Sequence, residues 1–378
     1  MQEETRPYRG LRVLDASQGI AGPYCGMLLA AQGADVVKLE PPEGDWSRGL
    51  STRAKGQSVM HITFNRGKRS VVLDLKQPED RAAAQALAAR ADVLIEAFRP
   101  GVAARLGLGP EATPEHAICL SISGFGQQGP YAERPCTDSV AQAFSGLAAL
   151  NAGSDGVPNK VGTLIADVVT GLSAFAAVQA ALAQRALERA AGVAPRRRVL
   201  DVSLMAGMAG LLAMPLAEAG LLGRAPAALN IPAGSYQAAD GVWVMVALVR
   251  EAEFVALCEV LGLPELPSDP RFASFAERAT HREALLPQIR AAFARDTGEN
   301  WLRRLATARL LASRVNTPLD WLADPHVQAS GAAGMLHQPE LGSLPMPALP
   351  GLGHWLPPAP ALGADTATVL RELAVPAG

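Results

Sequence analysis

The sequence predicts an α/β chain: a parallel sheet with helices on its faces, followed by a second, smaller domain. Three observations predict it. Short apolar strand-like runs alternate with helical runs over the first half of the chain, the pattern of repeated βαβ units. The length, 378 residues, suits two domains at about 100–200 residues each. The composition then turns rich in Pro and Gly at APAALNIPAGSYQAADGVWVMVAL, which marks the change of domain.

Taken in order, Leu11 to Ser17 (LRVLDAS) alternates as a strand, GIAGPYCG reads as a turn, MLLAAQGA as a short helix and ADVVKLE as the next strand. SVVLDL, a helix from Glu79 to Ala91, DVLIEAF and ICLSISGFG repeat the theme, and such alternation implies parallel pairing. From Asp167 to about Ala190 the apolar spacing predicts a deeply packed helix. The basic run Arg196, Arg197 and Arg198 is read as its end, with another apolar helix from about Ser203 to Leu222. A hairpin turning at Asp240-Gly241 opens the smaller domain, and helices follow over Glu251–Leu263, His281–Arg295 and Asn300–Leu311. The Pro-rich stretch LGSLPMPALPGLGHWLPPAPALG predicts an extended strap outside regular structure, before a last short helix, TATVLRELA.

Composition excludes several classes. Hydrophobic residues make up 49% and charged residues 19%, too apolar for a disordered chain. No apolar run reaches the roughly 18 uncharged residues of a membrane span, so no membrane is expected as partner. The polar start MQEETRPYRG is unlike a secretory leader, which predicts a cytoplasmic protein. A net charge of −2 and a single short basic run give no footprint for nucleic acid. Cys25, Cys119, Cys136 and Cys258 are scattered without a C-x-x-C pair or a histidine cluster, so buried free thiols are expected, with no metal site and no disulfide framework.

The first βαβ unit imitates a dinucleotide fingerprint, with Gly19, Gly22 and Gly26 after a strand and the acidic Glu40 about 20 residues on. The spacing is wrong for that role. The glycines run G-x-x-G-x-x-x-G, and Pro23 lacks an N–H where a pyrophosphate would need one, which argues for a structural turn.

LIADVVTG, residues 164 to 171, raises a sharper question, because Asp167 is a lone carboxylate between an apolar run and an almost uncharged helix. A buried charge costs free energy unless it is paired or used. Local pattern leaves two roles, an ordinary helix N-cap or a chemical reagent.

Several blocks together resemble the family III CoA-transferases, the group of the formyl-CoA:oxalate and carnitine CoA-transferases, with the α-methylacyl-CoA racemases as relatives. They are LRVLDASQGIAGPYCGMLLAAQGADVVKLEPPEGD, FNRGKRSVVLDLK, IEAFRPGVAARLGL, SISGFGQQGPYAERPCTDSVAQAFSG and LIADVVTG, with AADGVWVMVAL, DPRFASFAER and ADPHVQASG following in order over nearly the whole chain. The resemblance implies a Rossmann-like large domain holding both termini plus a smaller α+β domain, in a homodimer of interlocked rings. It divides the chain into 1–190 (CoA-binding), 191–226 (helical linker), 227–318 (small domain) and 319–378 (return to the large domain). The active site would lie between the large domain of one chain and the small domain of the other.

The same resemblance implies coenzyme A as the cofactor, entering as acyl-CoA, a small carboxylic acid as the other substrate, and Asp167 as the nucleophile. Asp167 would pass through an acyl anhydride and an aspartyl-CoA thioester, kept ionised by the start of its helix. The CoA contacts carry over to Ile20, Ala21, Leu73, Lys76, Ala97, Phe98, Arg99, Arg105, Gly124 and Phe125. From the residues alone, the basic groups equally suit a solvated surface, and Phe98 and Phe125 equally suit a core. Many relatives have Asn at Ala97, so one polar CoA contact is expected to be missing. The glycine run of the oxalate-specific branch is absent from LNIPAGSYQAADG, which argues against oxalate, and substrate contacts are expected around Asn230 to Gln237. In the racemase branch a histidine precedes the aspartate of the fourth block; here Thr137 precedes Asp138, and His61, His116, His281, His326, His337 and His354 all lie outside motif positions. Transferase chemistry is therefore expected over racemisation, with a CoA binder lacking turnover as a third class. Asp138 is left to contact substrate or to cap a helix.

Overall fold

β1 (Arg12–Ala16), α1 (Ala21–Ala31) and β2 (Asp35–Glu40) form the first βαβ unit of the computed structural model, which describes residues 6–153, 156–225, 230–352 and 355–375. After it come a small hairpin of β3 (Arg53–Ala54) and β4 (Gln57–Ser58), α2 (Val59–Asn65), β5 (Arg69–Val72), α3 (Pro78–Ala88), β6 (Val93–Glu96), α4 (Val102–Leu106) and β7 (Ile118–Ser123). Next are α5 (Asp138–Phe144), α6 (Leu147–Leu150), α7 (Ile165–Ala190), β8 (Arg198–Ser203), α8 (Leu204–Leu211) and α9 (Ala213–Leu222). Six of these strands pair in the order β5-β2-β1-β6-β7-β8, every pair parallel. This is the doubly wound order, which reverses between β1 and β6 and leaves a crevice at the strand C-termini there.

Three elements differ from expectation. The turn after β1 is shorter than read, because α1 starts at Ala21 and takes Gly22, Pro23 and Gly26 into the helix. Pro23 is tolerated in the first turn, where an N–H has no intrahelical acceptor. The basic run does not end a helix: α7 stops at Ala190, and Arg198 opens β8, an edge strand of the sheet. The apolar helix expected from Ser203 to Leu222 is broken into α8 and α9, which meet at 74°. Pro215 explains the break, since its ring would clash with the carbonyl four residues back, at Leu211, the last residue of α8.

By length and apolar content α7 could cross a membrane. One face of it is core, where Ala166, Ala174, Val178, Ala181 and Leu182 join Leu29, Ile95, Ile118 and Leu120, while Leu172 and Leu187 are exposed, so the helix is less deeply packed than expected. A Cβ on Gly171 would lie 2.8 Å from the Ala21 carbonyl oxygen, so only glycine lets α7 cross α1 this closely.

The chain divides into two compact units, Met1–Leu216 with Gly331–Gly378, and Ala217–Ser330. The second unit holds an antiparallel sheet of β9 (Gly234–Gln237), β10 (Trp243–Ala247) and β11 (Leu311–Arg314), with β10 central. Its helices are α10 (Ala252–Leu261), α11 (Phe275–Thr280), α12 (Arg282–Phe293), α13 (Gly298–Thr307), α14 (Pro318–Ala323) and α15 (Pro325–Ser330). Its core gathers Tyr236, Val244, Phe254, Phe272, Phe293 and Trp301. Among the residues expected to contact substrate, Asn230 to Gln237, Tyr236 is buried in that core.

The Pro-rich tail is a strap only in part. β12 (Ala333–Gln338) and β13 (Gly342–Pro347) pair as an antiparallel hairpin, with Pro345 and Pro347 on β13. An isolated two-stranded ribbon accepts these prolines because β13 has a free edge for residues that cannot donate. His354 lies outside the described residues. From Trp355 the chain runs extended to α16 (Thr366–Ala374), which closes the first unit.

Candidate active site

Parallel strands deliver their following residues to one edge, and the expected CoA contacts gather there by topology. Ile20 and Ala21 follow β1, Leu73 and Lys76 follow β5, Ala97, Phe98 and Arg99 follow β6, Arg105 lies on α4, and Gly124 and Phe125 follow β7. A cleft of about 150 Å³ brings Leu73, Lys76 and Phe98 together with Ala16, Gln18, Leu39, Glu40 and Pro41. Ala97, Lys76, Arg99 and Arg105 are exposed, whereas Ile20, Ala21 and Leu73 are core residues with little beyond backbone to offer a ligand. Phe125 is buried, with its ring centroid 5.0 Å from Phe144 and 5.9 Å from Tyr131, both edge to face.

Beneath this edge lies a buried ionic scaffold that sequence reasoning missed. Lys68 donates to Asp15 at 2.8 Å, to the Pro23 carbonyl at 2.7 Å and to Asn65 at 2.8 Å. Lys38 donates to Asp45 at 2.7 Å and to the Ser17 carbonyl at 2.9 Å, while Asp45 accepts the Gly19 N–H at 3.0 Å. Glu40 holds Arg48 through two contacts of 2.7 Å and accepts from Ser70 at 2.6 Å. The turn that imitates a dinucleotide site is thus committed to the protein itself. Its Gly22 is required by packing, since a Cβ there would lie 2.2 Å from Ser17 Oγ.

Asp167 is the third residue of α7, half-buried, with no hydrogen-bond donor to its carboxylate among the described residues. It is not the cap of its helix. Asp138, the first residue of α5 and almost fully buried, takes that duty from a neighbouring helix: its Oδ2 accepts the N–H of Ala166 at 2.8 Å and that of Asp167 at 3.4 Å. Gln142, one turn on along α5, donates to Asp138 Oδ1 at 2.6 Å and accepts the Val161 N–H at 2.8 Å, tying down the loop that leads into α7. The i,i+4 spacing of Asp138 and Gln142 was visible in the sequence; that the pair faces α7 was not.

This geometry corrects the expectation of a fully ionised Asp167. The nearest helix-start N–H groups are engaged by Asp138 rather than by the Asp167 carboxyl, and burial, followed by the Asp138 charge, pushes that carboxyl up to about 7. Cys136 lies close enough that burial and then the Asp167 charge raise its thiol above its ordinary range. A Cβ on Gly124 would lie 2.2 Å from Cys136 Cβ, so the end of β7 and Asp167 share one neighbourhood. All four cysteines are free, three of them buried and Cys136 half-exposed. Among the described residues no three His, Cys, Asp or Glu side chains cluster as metal ligands.

Fold and cleft define the class, a doubly wound α/β protein with a crevice at the strand C-termini. The particular family follows from comparison: the profile of CoA-transferase family III matches residues 8–366, and the chain belongs to that family. It is 32% identical over 393 residues to the succinyl-CoA–D-citramalate CoA-transferase of Chloroflexus aurantiacus, covering 98% of this chain and 95% of that one. It is 34% identical over 387 residues to the acetyl-CoA:oxalate CoA-transferase of Acetobacter aceti, covering 98% and 96%. The crystal structure of a CaiB/BaiF family protein from Brucella suis superposes with a TM-score of 0.82 at 31% identity, over 98% of this chain and all of that one. The protein is therefore a family III CoA-transferase, an enzyme that moves CoA between acids.

Proposed function

We propose that Asp167 carries the CoA exchange as a covalent nucleophile. Its ionised carboxylate attacks the carbonyl carbon of the donor thioester, the carbon–sulfur bond breaks and CoA leaves as thiolate, giving a mixed anhydride. The thiolate then attacks the aspartyl carbonyl and expels the donor acid as carboxylate, leaving an aspartyl-CoA thioester. The acceptor carboxylate runs the sequence backwards and regenerates Asp167, with no net proton taken up. The observation that supports this reading is the separation of duties at the start of α7: Asp138 caps the helix, and the Asp167 carboxylate has no hydrogen-bond donor among the described residues.

CoA would lie along the strand C-termini, with Lys76, Arg99 and Arg105 near phosphates and backbone at Ile20, Ala21, Ala97 and Gly124 beside the adenine and pantetheine. Succinyl, citramalate and oxalate in the relatives' names are all dicarboxylic, so a dicarboxylic acid is the substrate class to test first. Self-association as a homodimer would cover a band of exposed apolar side chains: Val140 and Phe144 on α5, Leu172 and Leu187 on α7, Met205 and Leu211 on α8. Sedimentation of the purified chain as a monomer at micromolar concentration would refute that association.

A carboxyl near pH 7 also suits a general base, which favours one alternative, exchange of the α-proton of an acyl-CoA. One experiment separates the two. The protein is incubated with acyl-CoA thioesters in deuterated water, trapped with hydroxylamine or borohydride, and the Asp167 peptide is weighed. Modification at Asp167 that depends on acyl-CoA supports the nucleophile; α-deuteration without modification supports the base.

A further inference from the structure

Apart from the CoA cleft, the first unit encloses a cavity of about 440 Å³. It lies between the β3–β4 hairpin, the turn of the β12–β13 hairpin and the 358–362 strap, with Arg48, His61 and Ile62 on its floor. Its mouth is tied shut at one side, where Gln57 donates to the Pro339 carbonyl at 2.7 Å and Lys55 to the Glu340 carbonyl at 3.1 Å. None of the residues lining it lines the CoA cleft.

His61 is the unusual feature. It is 3% exposed, and its Nδ1 lies 3.3 Å from Asn65 Nδ2 and 3.1 Å from Ser47 Oγ. Asn65 Oδ1 accepts from Lys68, so the amide presents its N–H₂ to the ring, and Nδ1 must be the acceptor. The ring hydrogen therefore sits on Nε2, and this buried donor has no partner among the described residues. Arg48 supplies a second open donor: its Nε and Nη2 engage Glu40, Nη2 also meets the Pro360 carbonyl, and Nη1 has no partner among the described residues. A buried donor left unpaired forfeits its hydration without replacement, which an arriving acceptor would supply. Burial, with the Arg48 charge, holds the imidazole down to about 3, so it acts as a neutral donor across the physiological range. Beside Ile62, Pro339, Pro358, Ala359, Pro360, Ala361 and Leu362, the lining carries Gln57, Ser58 and Gln338, which donate to the Pro339, Leu50 and Ala359 carbonyls, and Glu340 at the hairpin turn.

We propose that this cavity is a second ligand site, for a short-chain carboxylate whose oxygens accept from His61 Nε2–H and Arg48 Nη1–H and whose carbon body lies on Ile62 and the 358–362 strap. A carboxylate offers what both donors lack, and its small apolar body matches walls that a phosphate would leave unfilled. The site is separate from Asp167 and does not rest on the role proposed for that residue. Arg48 joins it to the CoA cleft, since Glu40, its bidentate partner, lines that cleft.

The test is ¹⁵N NMR of the histidine side chains in the full-length Asp167→Ala protein saturated with CoA, titrated separately with propionate, glutarate and inorganic phosphate. The expected result is a saturable shift of the His61 Nε2 resonance with a carboxylate, and an affinity for that acid, read by isothermal titration calorimetry, weakened at least tenfold in His61→Phe and in Ala361→Trp. The second variant fills the cavity from the strap and leaves the Ser47–His61–Asn65 contacts intact, so it guards against misfolding of the first. No saturable shift with either acid would overturn the proposal, as would binding unchanged in Ala361→Trp, or phosphate binding as tightly as the acids. Because Asp167 is absent throughout, failure here leaves the nucleophile reading untouched.

Discussion

Asp15 and Asp167 are both aspartates taken out of free solvent in the first unit, yet the fold treats them oppositely. Asp15 is fully buried at the end of β1, and burial alone would raise its carboxyl, but Lys68 and Lys38 outweigh it and hold the group below its ordinary range. Asp167 is only half-buried and has no cation beside it among the described residues, so burial and Asp138 drive it up to about 7. Depth of burial does not separate the structural Asp15 from the proposed nucleophile Asp167. The identity of the nearest charge does.

Five substitutions break or sharpen that contrast. Asp167→Ala should lower CoA transfer by roughly a thousandfold or more while the protein stays folded, read as kcat beside a thermal melt. Asp15→Ala should do the reverse. It strands Lys68 in the interior, and the loss of stability, about 3–5 kcal/mol by denaturant unfolding, should exceed any direct effect on chemistry.

Asp138→Asn tests the charge rather than the cap, because an amide oxygen still accepts the Ala166 N–H. In the natural protein, transfer that needs ionised Asp167 should rise with pH through about 7, and in the variant that rise should move to lower pH. If the limb stays in place, Asp138 acts only as a cap. The sign for stability is opposite to that of a paired aspartate. A carboxyl whose folded pKa is raised stabilises below its unfolded value of 3.8 and loses that contribution as pH climbs through about 7. Asp167→Asn should therefore melt about 2–4 °C higher than the natural protein at pH 8, with the gain vanishing near pH 4. Lys76→Ala has the smallest expected effect, a roughly two- to fivefold rise in KM for acyl-CoA with kcat unchanged, since one exposed charge contributes little.

How much of this was legible depended on how local the cause was. β1, β2, β5, β6 and β7 followed from short apolar runs, and α7 from its spacing, because each is dictated by residues adjacent in the chain. β8 was misread since RRRVLDVS gains strand identity only by pairing with β7. The β12–β13 hairpin was hidden by prolines, which β13 accepts because it pairs on one edge only.

The sequence by itself determined the parallel α/β half, the ordered blocks of the family and the position of a lone carboxylate at a helix start. The division of labour between two aspartates was decided by tertiary structure alone. Asp138 lies 29 residues from Asp167 and reaches its helix only after α5 packs against α7. Burial, hydrogen-bond partner and nearest charge are properties of the folded neighbourhood, and these decide whether a carboxylate caps, pairs or reacts.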